Sequence, residues 1–289
     1  MQIQTHEGSS ARWHRTGVVL LVWILALVFP AVCHGQVTIV QLSDTHIGSP
    51  HAPHAADNLR KAVSMINALH PDAVVVSGDI GENVMAWQIA RTILKGLRVP
   101  LFYAPGNHDV HLHNVNQYRS VFGPDYYRFD VRGVIFIVVD SQLLGNFDTF
   151  NPAHPTVPPP LPSDTLAEGS KMLSWMSGQV ALIPKGATVI AVQHVPLFRN
   201  GGFPDPREYW VVNEPFRSRE LAILEKMGVK HMLVGHWHNF RVFTTNDITS
   251  HVGAATSWLP LGGHLGFAVH TISGGNVSTR FVALPNAVP

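Results

Sequence analysis

Short, mainly apolar runs recur along the chain, each followed by a polar turn. They are Val37–Leu42, Ala73–Val76, Leu101–Ala104, Val134–Val139, Thr188–Val192 and Met232–Val234. Runs this short and this rich in β-branched residues predict strands buried on both faces. Between them the apolar spacing lengthens to three and four. Leu59, Val63, Ile66 and Leu69 predict one helix, and Leu173, Met176 and Val180 predict a second. A third carries Leu221, Leu224 and Met227 and is capped by Gly228. Tyr126–Val139 reads as a hairpin turning at Arg132–Gly133, with one of Tyr126 and Tyr127 in the core. The tail from Arg241 to Leu284 is strand-like and turns at Gly274–Gly275. Alternating β and α elements, then β alone, predict an α/β fold with a sheet-on-sheet core flanked by helices. Gly145–Asp164, with six prolines between Pro152 and Pro162, reads as a long surface loop in preference to a functional lid. No internal repeat or linker divides residues 36–289, which read as one domain.

The first 35 residues read differently. Arg12, His14 and Arg15 precede a 13-residue apolar run, Gly17–Phe29, then Pro30 and the small residues of Ala31–Gly35. This is the order of a secretory signal peptide, and the run is shorter than the roughly 20 residues a spanning helix needs. The expectation is export to the periplasm or outside the cell, with cleavage after Cys33 or Gly35. The alternative is a retained anchor touching the membrane only through residues 17–33. Cys33 is the one cysteine, which excludes a disulfide framework and a thiolate zinc site.

Composition narrows the function. Of the 289 residues 46% are apolar and only 13% charged, which excludes disorder for the bulk of the chain. Net charge is +1 with no Lys/Arg stripe, so no surface for bulk nucleic-acid binding is evident. The excess is in histidine, 18 against 20 Lys and Arg together. One reading is therefore a histidine-rich envelope metal-binding protein, which would use scattered residues such as His51, His54 and His264 and bind more than two ions.

Position argues for chemistry instead. The strand at Val37–Leu42 runs into Ser43-Asp44-Thr45-His46, and Ala73–Val76 into Ser77-Gly78-Asp79. Leu101–Ala104 runs into Pro105-Gly106-Asn107-His108-Asp109, Thr188–Val192 into Gln193-His194, and Met232–Val234 into Gly235-His236-Trp237-His238. Ligands at carboxyl ends of strands can converge on one crevice. Partners two apart in extended backbone face the same side, so Asp44 with His46, and His236 with His238, can aim at one centre. Gly78, Gly106 and Gly235 precede ligands where the backbone must bend and approach closely. Imidazole and carboxylate donors with one amide oxygen and no sulfur suit Mn, Fe or Zn better than Ca.

The ordered blocks DxH, GD, GNHD, a lone His and GHxH resemble the calcineurin-like metallophosphoesterase family across residues 37–285. The stretches GNHDVHLHN, FGPDYYRFDVRGVIFIVVDSQ and AVQHVPLF are most similar to the branch containing the animal calcineurin-like serine/threonine-protein phosphatase. The resemblance implies a four-layer α/β/β/α sandwich of two mixed sheets flanked by helices. It implies two metal ions: Asp44, His46 and His238 on the first, Asn107, His194 and His236 on the second, and Asp79 bridging. It implies hydrolysis of phosphate esters, monoesters or phosphoprotein, by a hydroxide shared between the ions. The alternative is a phosphodiesterase acting on cyclic nucleotides or lipid head groups. His108 would protonate the leaving oxygen or stabilise charge on the phosphoryl group, and Asp109 would orient His108 through its far ring nitrogen or serve as a turn or helix cap. His111, His113 and Arg199 are the candidate substrate contacts, joined by Asn200 and Tyr209. Trp237, between two ligands, is expected to point away into packing.

Overall fold

The computed structural model describes residues 35–110, 115–147, 160–200 and 208–289. The first half runs β1 (Val37–Leu42), α1 (Ala55–Leu69), β2 (Ala73–Ser77), α2 (Val84–Leu94), β3 (Leu101–Ala104), α3 (Val115–Phe122), β4 (Tyr127–Val131) and β5 (Val134–Val138). The second runs α4 (Ser163–Gln179), β6 (Val189–Val192), α5 (Phe216–Met227), β7 (His231–Val234), β8 (Arg241–Thr245), β9 (Ile248–Val252), β10 (Gly266–Ser273) and β11 (Asn276–Ala283). The six predicted strands and three predicted helices are all here. Arg132–Gly133 makes the first hairpin turn and Gly274–Gly275 the last, all four residues at positive φ. Gly228 ends α5 in the left-handed conformation, its N–H returning to Glu225 O and Leu224 O.

Two helices went unread. In α2 the small Ala86 and Ala90 are buried with Trp87 and Leu94, while Val84, Met85 and Ile89 are exposed. Apolar residues on both faces blur a helical period. Asn83 caps its start, accepting from Ala86 N at 3.0 Å. In α3 only Tyr118 is buried, too few positions to show a stripe.

The strands form two mixed sheets, one ordered β11-β10-β1-β2-β3 and the other β4-β5-β6-β7-β9-β8. Alternation along each strand explains why the runs are apolar throughout. Val37 and Ile39 of β1, and Ala73 and Val75 of β2, face a core between the sheets; Val40, Leu42, Val74 and Val76 face α1 and α2. In the second sheet Phe136, Val138, Ile190 and Val192 enter the shared core, while Ile135, Ile137, Val189 and Ala191 enter one built with α4 and α5. Three separate cores make four layers, α/β/β/α. His34–Pro289 forms one compact unit.

Tyr126 and Tyr127 go to opposite cores. Tyr126 packs on Trp175, 5.3 Å between ring centres. The Tyr127 hydroxyl bridges the sheets, donating to Tyr103 O at 2.9 Å and accepting from Tyr103 N at 3.0 Å. This also occupies the open edge of β3. The expected signal or anchor at residues 1–35, other than Gly35, and most of the proline-rich loop fall outside the described residues.

Candidate metal centre

β1, β2 and β3 lie side by side and parallel in one sheet, and β6 and β7 are parallel neighbours in the other. Their carboxyl ends therefore open on a common edge of the sandwich, and the five polar turns meet there. The backbone bends hard to make the approach. Asp44, His46, Asp79, His236 and His238 all sit at positive φ, between 41° and 71°. Each costs conformational energy in an L-residue, and such strain collects at functional sites. Gly106 packs so closely on Asp79 that a Cβ would collide with its backbone N and Oδ1. Gly78 has φ +94°, and a Cβ there would lie 2.5 Å from His194 Nδ1.

Two donor groups share one residue, and a third set of His46, Glu82 and His108 lies beside them. Asp44, His46, Asp79 and His238 make the first; Asp79, His194 and His236 make the second. In the first, His46 Nε2 and His238 Nε2 stand 3.1 Å apart, with Asp79 Oδ2 3.4 Å from His46 Nε2 and Asp44 Oδ1 3.4 Å from His238 Nε2. In the second, His194 Nε2 lies 3.1 Å from Asp79 Oδ2. Asp79 Oδ1 is taken by the backbone N–H of His108 at 2.9 Å, which aims Oδ2 at both groups.

The histidines are fixed from behind. His46 Nδ1 donates to Glu82 Oε1, His194 Nδ1 to Ser77 O and His238 Nδ1 to Trp258 O, each at 2.8 Å. His236 Nε2 donates to Tyr209 O at 3.0 Å. A carboxylate or carbonyl can only accept, so each ring carries its proton on the outer nitrogen. In the neutral ring the other nitrogen then presents a lone pair to the centre, the arrangement that supports metal-ligating histidines. Burial lowers the pKa of His46 and His236 and brings His238 to about 4, so these rings are neutral and ready to ligate. Burial also opposes charge on His194, but Asp79 and Asp44 outweigh it and hold that ring up at about 9. Asp79 stays well below the carboxylate range because His194, His108 and His46 overcome the cost of its burial.

Three buried atoms here have no hydrogen-bond partner: Asp44 Oδ2, Asn107 Oδ1 and His194 Nε2. Buried polar atoms without partners are costly, and these three are atoms able to ligate a cation, on residues of the turns that meet here. Asn107 Nδ2 donates to the Tyr209 hydroxyl at 3.2 Å, which turns the amide so that Oδ1 is left over. The residues present therefore fit a pair of cations with nitrogen and oxygen donors.

Beside the first group stands His108, its ring centre 4.6 Å from that of His46. Its Nδ1 donates to Glu82 Oε2 at 2.8 Å, so one carboxylate holds both rings. Burial disfavours the cation, but Asp79 and Glu82 outweigh it and raise His108 to about 9. Glu82 itself is drawn down to about 2, where the two histidine contacts overcome its partial burial. Asp109 does not orient His108. Its carboxylate takes the N–H groups of Gly106, Ile80 and Gly81 at 3.0, 2.9 and 3.1 Å, stapling the turn after β3 to the turn after β2.

The substrate candidates fare unevenly. His111 and His113 lie outside the described residues. Arg199 is half-buried in the segment that follows His194, and Asn200 Oδ1 is buried without a partner. Tyr209 belongs to the centre through its carbonyl, its hydroxyl and its ring, 4.7 Å from that of His236. Trp237 is fully buried, parallel to Phe243 with ring centres 5.5 Å apart, and donates to Trp210 O at 2.9 Å. Glu82 and Trp258 were not singled out from the sequence. A carboxylate three residues beyond Asp79 in the same turn was a usable signal for Glu82. The supporting carbonyls of Ser77, Tyr209 and Trp258 leave none, because every residue has one.

The model of the calcineurin-like phosphoesterase family matches residues 37–240. The chain belongs to this family. It is a metal-dependent phosphoric ester hydrolase, which sets aside the reading as a histidine-rich metal store. It is 28% identical over 233 residues to a probable cyclic nucleotide phosphodiesterase of Fibrobacter succinogenes, covering 75% of this chain and 79% of that one. It is 25% identical over 216 residues to the serine/threonine-protein phosphatase CPPED1 of Danio rerio, covering 68% and 64% respectively, so the match spans a little under two thirds of that relative. A dimetal phosphatase structure from Danio rerio superposes with a TM-score of 0.62 at 14% identity, covering 86% of this chain and 99% of that one, and shares the fold.

Proposed function

We propose that the chain is an exported phosphatase that hydrolyses phosphate monoesters, phosphoprotein among them, with two ions of Mn, Fe or Zn. The observation that carries this reading is the Glu82–His108 pair set against two donor groups that share Asp79. Asp44, His46 and His238 would hold one ion, Asn107, His194 and His236 the other, and Asp79 both. Such a pair supplies positive charge for the phosphoryl oxygens and acidifies water for attack. The protein then has three tasks. The backbone turns keep the donors at a fixed separation. Glu82 keeps His108 protonated on both nitrogens and holds its Nε2 toward the ester. His108 passes the Nε2 proton to the leaving oxygen, so the alcohol departs neutral. A cation at this position also favours the dianion of a monoester over the single charge of a diester.

The diester reading is supported by the likeness to the probable cyclic nucleotide phosphodiesterase. Export rests on the basic, apolar and small-residue order of residues 12–35. Among the described residues no helix is long and apolar enough to cross a membrane.

The test is hydrolysis of p-nitrophenyl phosphate and bis(p-nitrophenyl) phosphate by protein lacking residues 1–35 and loaded with Mn or Fe. Faster turnover of the monoester is expected. A preference for the diester would select the second reading, and no hydrolysis of either would sink both. Asp79→Asn should lose metal and activity together, whereas His108→Ala should keep metal and lose most turnover.

A further inference from the structure

Aromatic rings flank both donor groups, and those not fully buried are Tyr209, against His236 with its hydroxyl held by Asn107, and Trp258. Phe147 and Trp210, against His236, are buried. Trp258, against the first group, is half-exposed, with ring centres 5.0 Å from His238 and 5.9 Å from His46. The exposed imidazole of His51 lies nearly parallel on it, at 4.9 Å and 17°. Among the described residues neither ring nitrogen of His51 is hydrogen-bonded. The main chain that carries the indole is anchored to the centre, because the Trp258 carbonyl holds His238 Nδ1.

We propose that the His51–Trp258 stack is the wall that receives the leaving group of the ester, and that it favours leaving groups carrying a planar ring. This deepens the phosphoesterase reading and rests on it. His108 meets the leaving oxygen, so the organic group must lie beside His108. His108 and Trp258 both stand edge-on to the same ring, His46, each at 82°. Both rings thus border His46, and a group extending from the ester past His46 would meet the indole and the imidazole stacked on it. Flat aromatic surface rewards a flat partner through offset stacking, while an alkyl chain gains only contact area. The free imidazole nitrogens add a donor and an acceptor at the rim for polar atoms on the ring. A purely structural stack would instead leave discrimination among leaving groups untouched.

The experiment compares kcat/KM for p-nitrophenyl phosphate and ethyl phosphate in the wild type, Trp258→Leu, Trp258→Phe, His51→Ala and, as a control, Lys171→Ala on the exposed face of α4. The ratio of the two values cancels the intrinsic reactivity of the esters when one variant is set against another. It should fall about five- to tenfold in Trp258→Leu and about two- to threefold in His51→Ala, stay closer to wild type in Trp258→Phe, and not move in Lys171→Ala. Calorimetry on metal-loaded protein gives a second readout that needs no turnover. Phenylphosphonate should bind more tightly than methylphosphonate, and Trp258→Leu should abolish the difference. An unchanged ratio in both Trp258→Leu and His51→Ala, or equal binding of the two phosphonates to wild type, overturns the proposal. If Trp258→Leu fails to fold, His51→Ala decides, since that side chain is on the surface. If wild type hydrolyses neither ester, the phosphoesterase reading fails, and the phosphonate pair still reports on the wall.

Discussion

His108 Nδ1 donates to Glu82 at 2.8 Å, and the second oxygen of the same carboxylate takes His46 Nδ1 at 2.8 Å. A single side chain thus orients the proposed acid and one proposed metal donor. Outer partners of this kind are worth about 10–100-fold in activity or metal affinity. Glu82→Gln should lower kcat by that order and weaken retention of one ion. Both are read by steady-state kinetics and by metal analysis after dialysis. Unchanged turnover would remove Glu82 from the mechanism.

Asp109 should behave in the opposite manner. Its carboxylate binds three backbone N–H groups and touches neither donor group. Asp109→Asn keeps the size but loses acceptor strength. It is expected to cost about 1–3 kcal/mol of stability, with activity falling only as far as the turn loosens. Thermal melts of Glu82→Gln and Asp109→Asn side by side separate the two roles, with the lower melting temperature in the second.

Gly106→Ala places a methyl group against Asp79, in space already filled by its backbone N and Oδ1. Both are rigid, so either the turn after β3 or the shared carboxylate must move. The expected result is loss of bound metal, loss of activity, and about 1–3 kcal/mol of destabilisation from overpacking. Full metal content in this variant would contradict the packing.

A polar seam crosses the core between the sheets. Gln41 Nε2 donates to Ser77 Oγ and to Val234 O, each at 2.8 Å, and its Oε1 accepts from His270 Nε2 at 2.9 Å. Ser77 and Val234 lead directly into the turns of Asp79 and His236, so the amide ties the two sheets beneath the centre. Gln41→Met keeps the volume but leaves His270 Nε2 without its partner, while Val234 O keeps the N–H of Gly253 at 2.7 Å and Ser77 Oγ keeps Leu42 O at 3.4 Å. It should cost about 1–3 kcal/mol in urea unfolding.

Stability should fall at both ends of the pH range. Burial lowers His251 to about 3 and holds His270 well below the usual histidine range, with His231 adding to both shifts. The unfolded chain binds those protons below about pH 6.5 and the folded chain does not, so stability is full above that pH and declines as pH falls. His251 alone should cost about 2 kcal/mol at pH 5. Glu220 is buried with neither oxygen partnered, and burial raises it to about 8. Its contribution is present below pH 4.5 and is lost as pH rises to about 8. Glu220→Met should therefore raise the urea midpoint at pH 8 more than at pH 5. An equal gain at both would show that the carboxyl does not titrate in this window.

The chain by itself determined more than its local elements. Apolar runs at Val37, Ala73, Val134 and Val189 mark strands buried on both faces, because alternate residues of each must fill a different core. The turns behind five strands carried Asp44, His46, Asp79, Asn107, His194, His236 and His238 in an order that already identified the chemistry. Type and spacing of side chains are properties of the sequence, and a metal-donor set is defined largely by type and spacing. Tertiary structure alone decided which partners stand behind those donors. Asp109 and Glu82 are both carboxylates near His108 in the sequence or in the folded turns. Only the path of the backbone sends the first to three amides and the second to two imidazoles. The carbonyls of Ser77, Tyr209 and Trp258 became functional through placement, since every residue carries the same group. The helices α2 and α3 were likewise decided by packing, where a few small or aromatic residues met a waiting surface without writing a period into the chain.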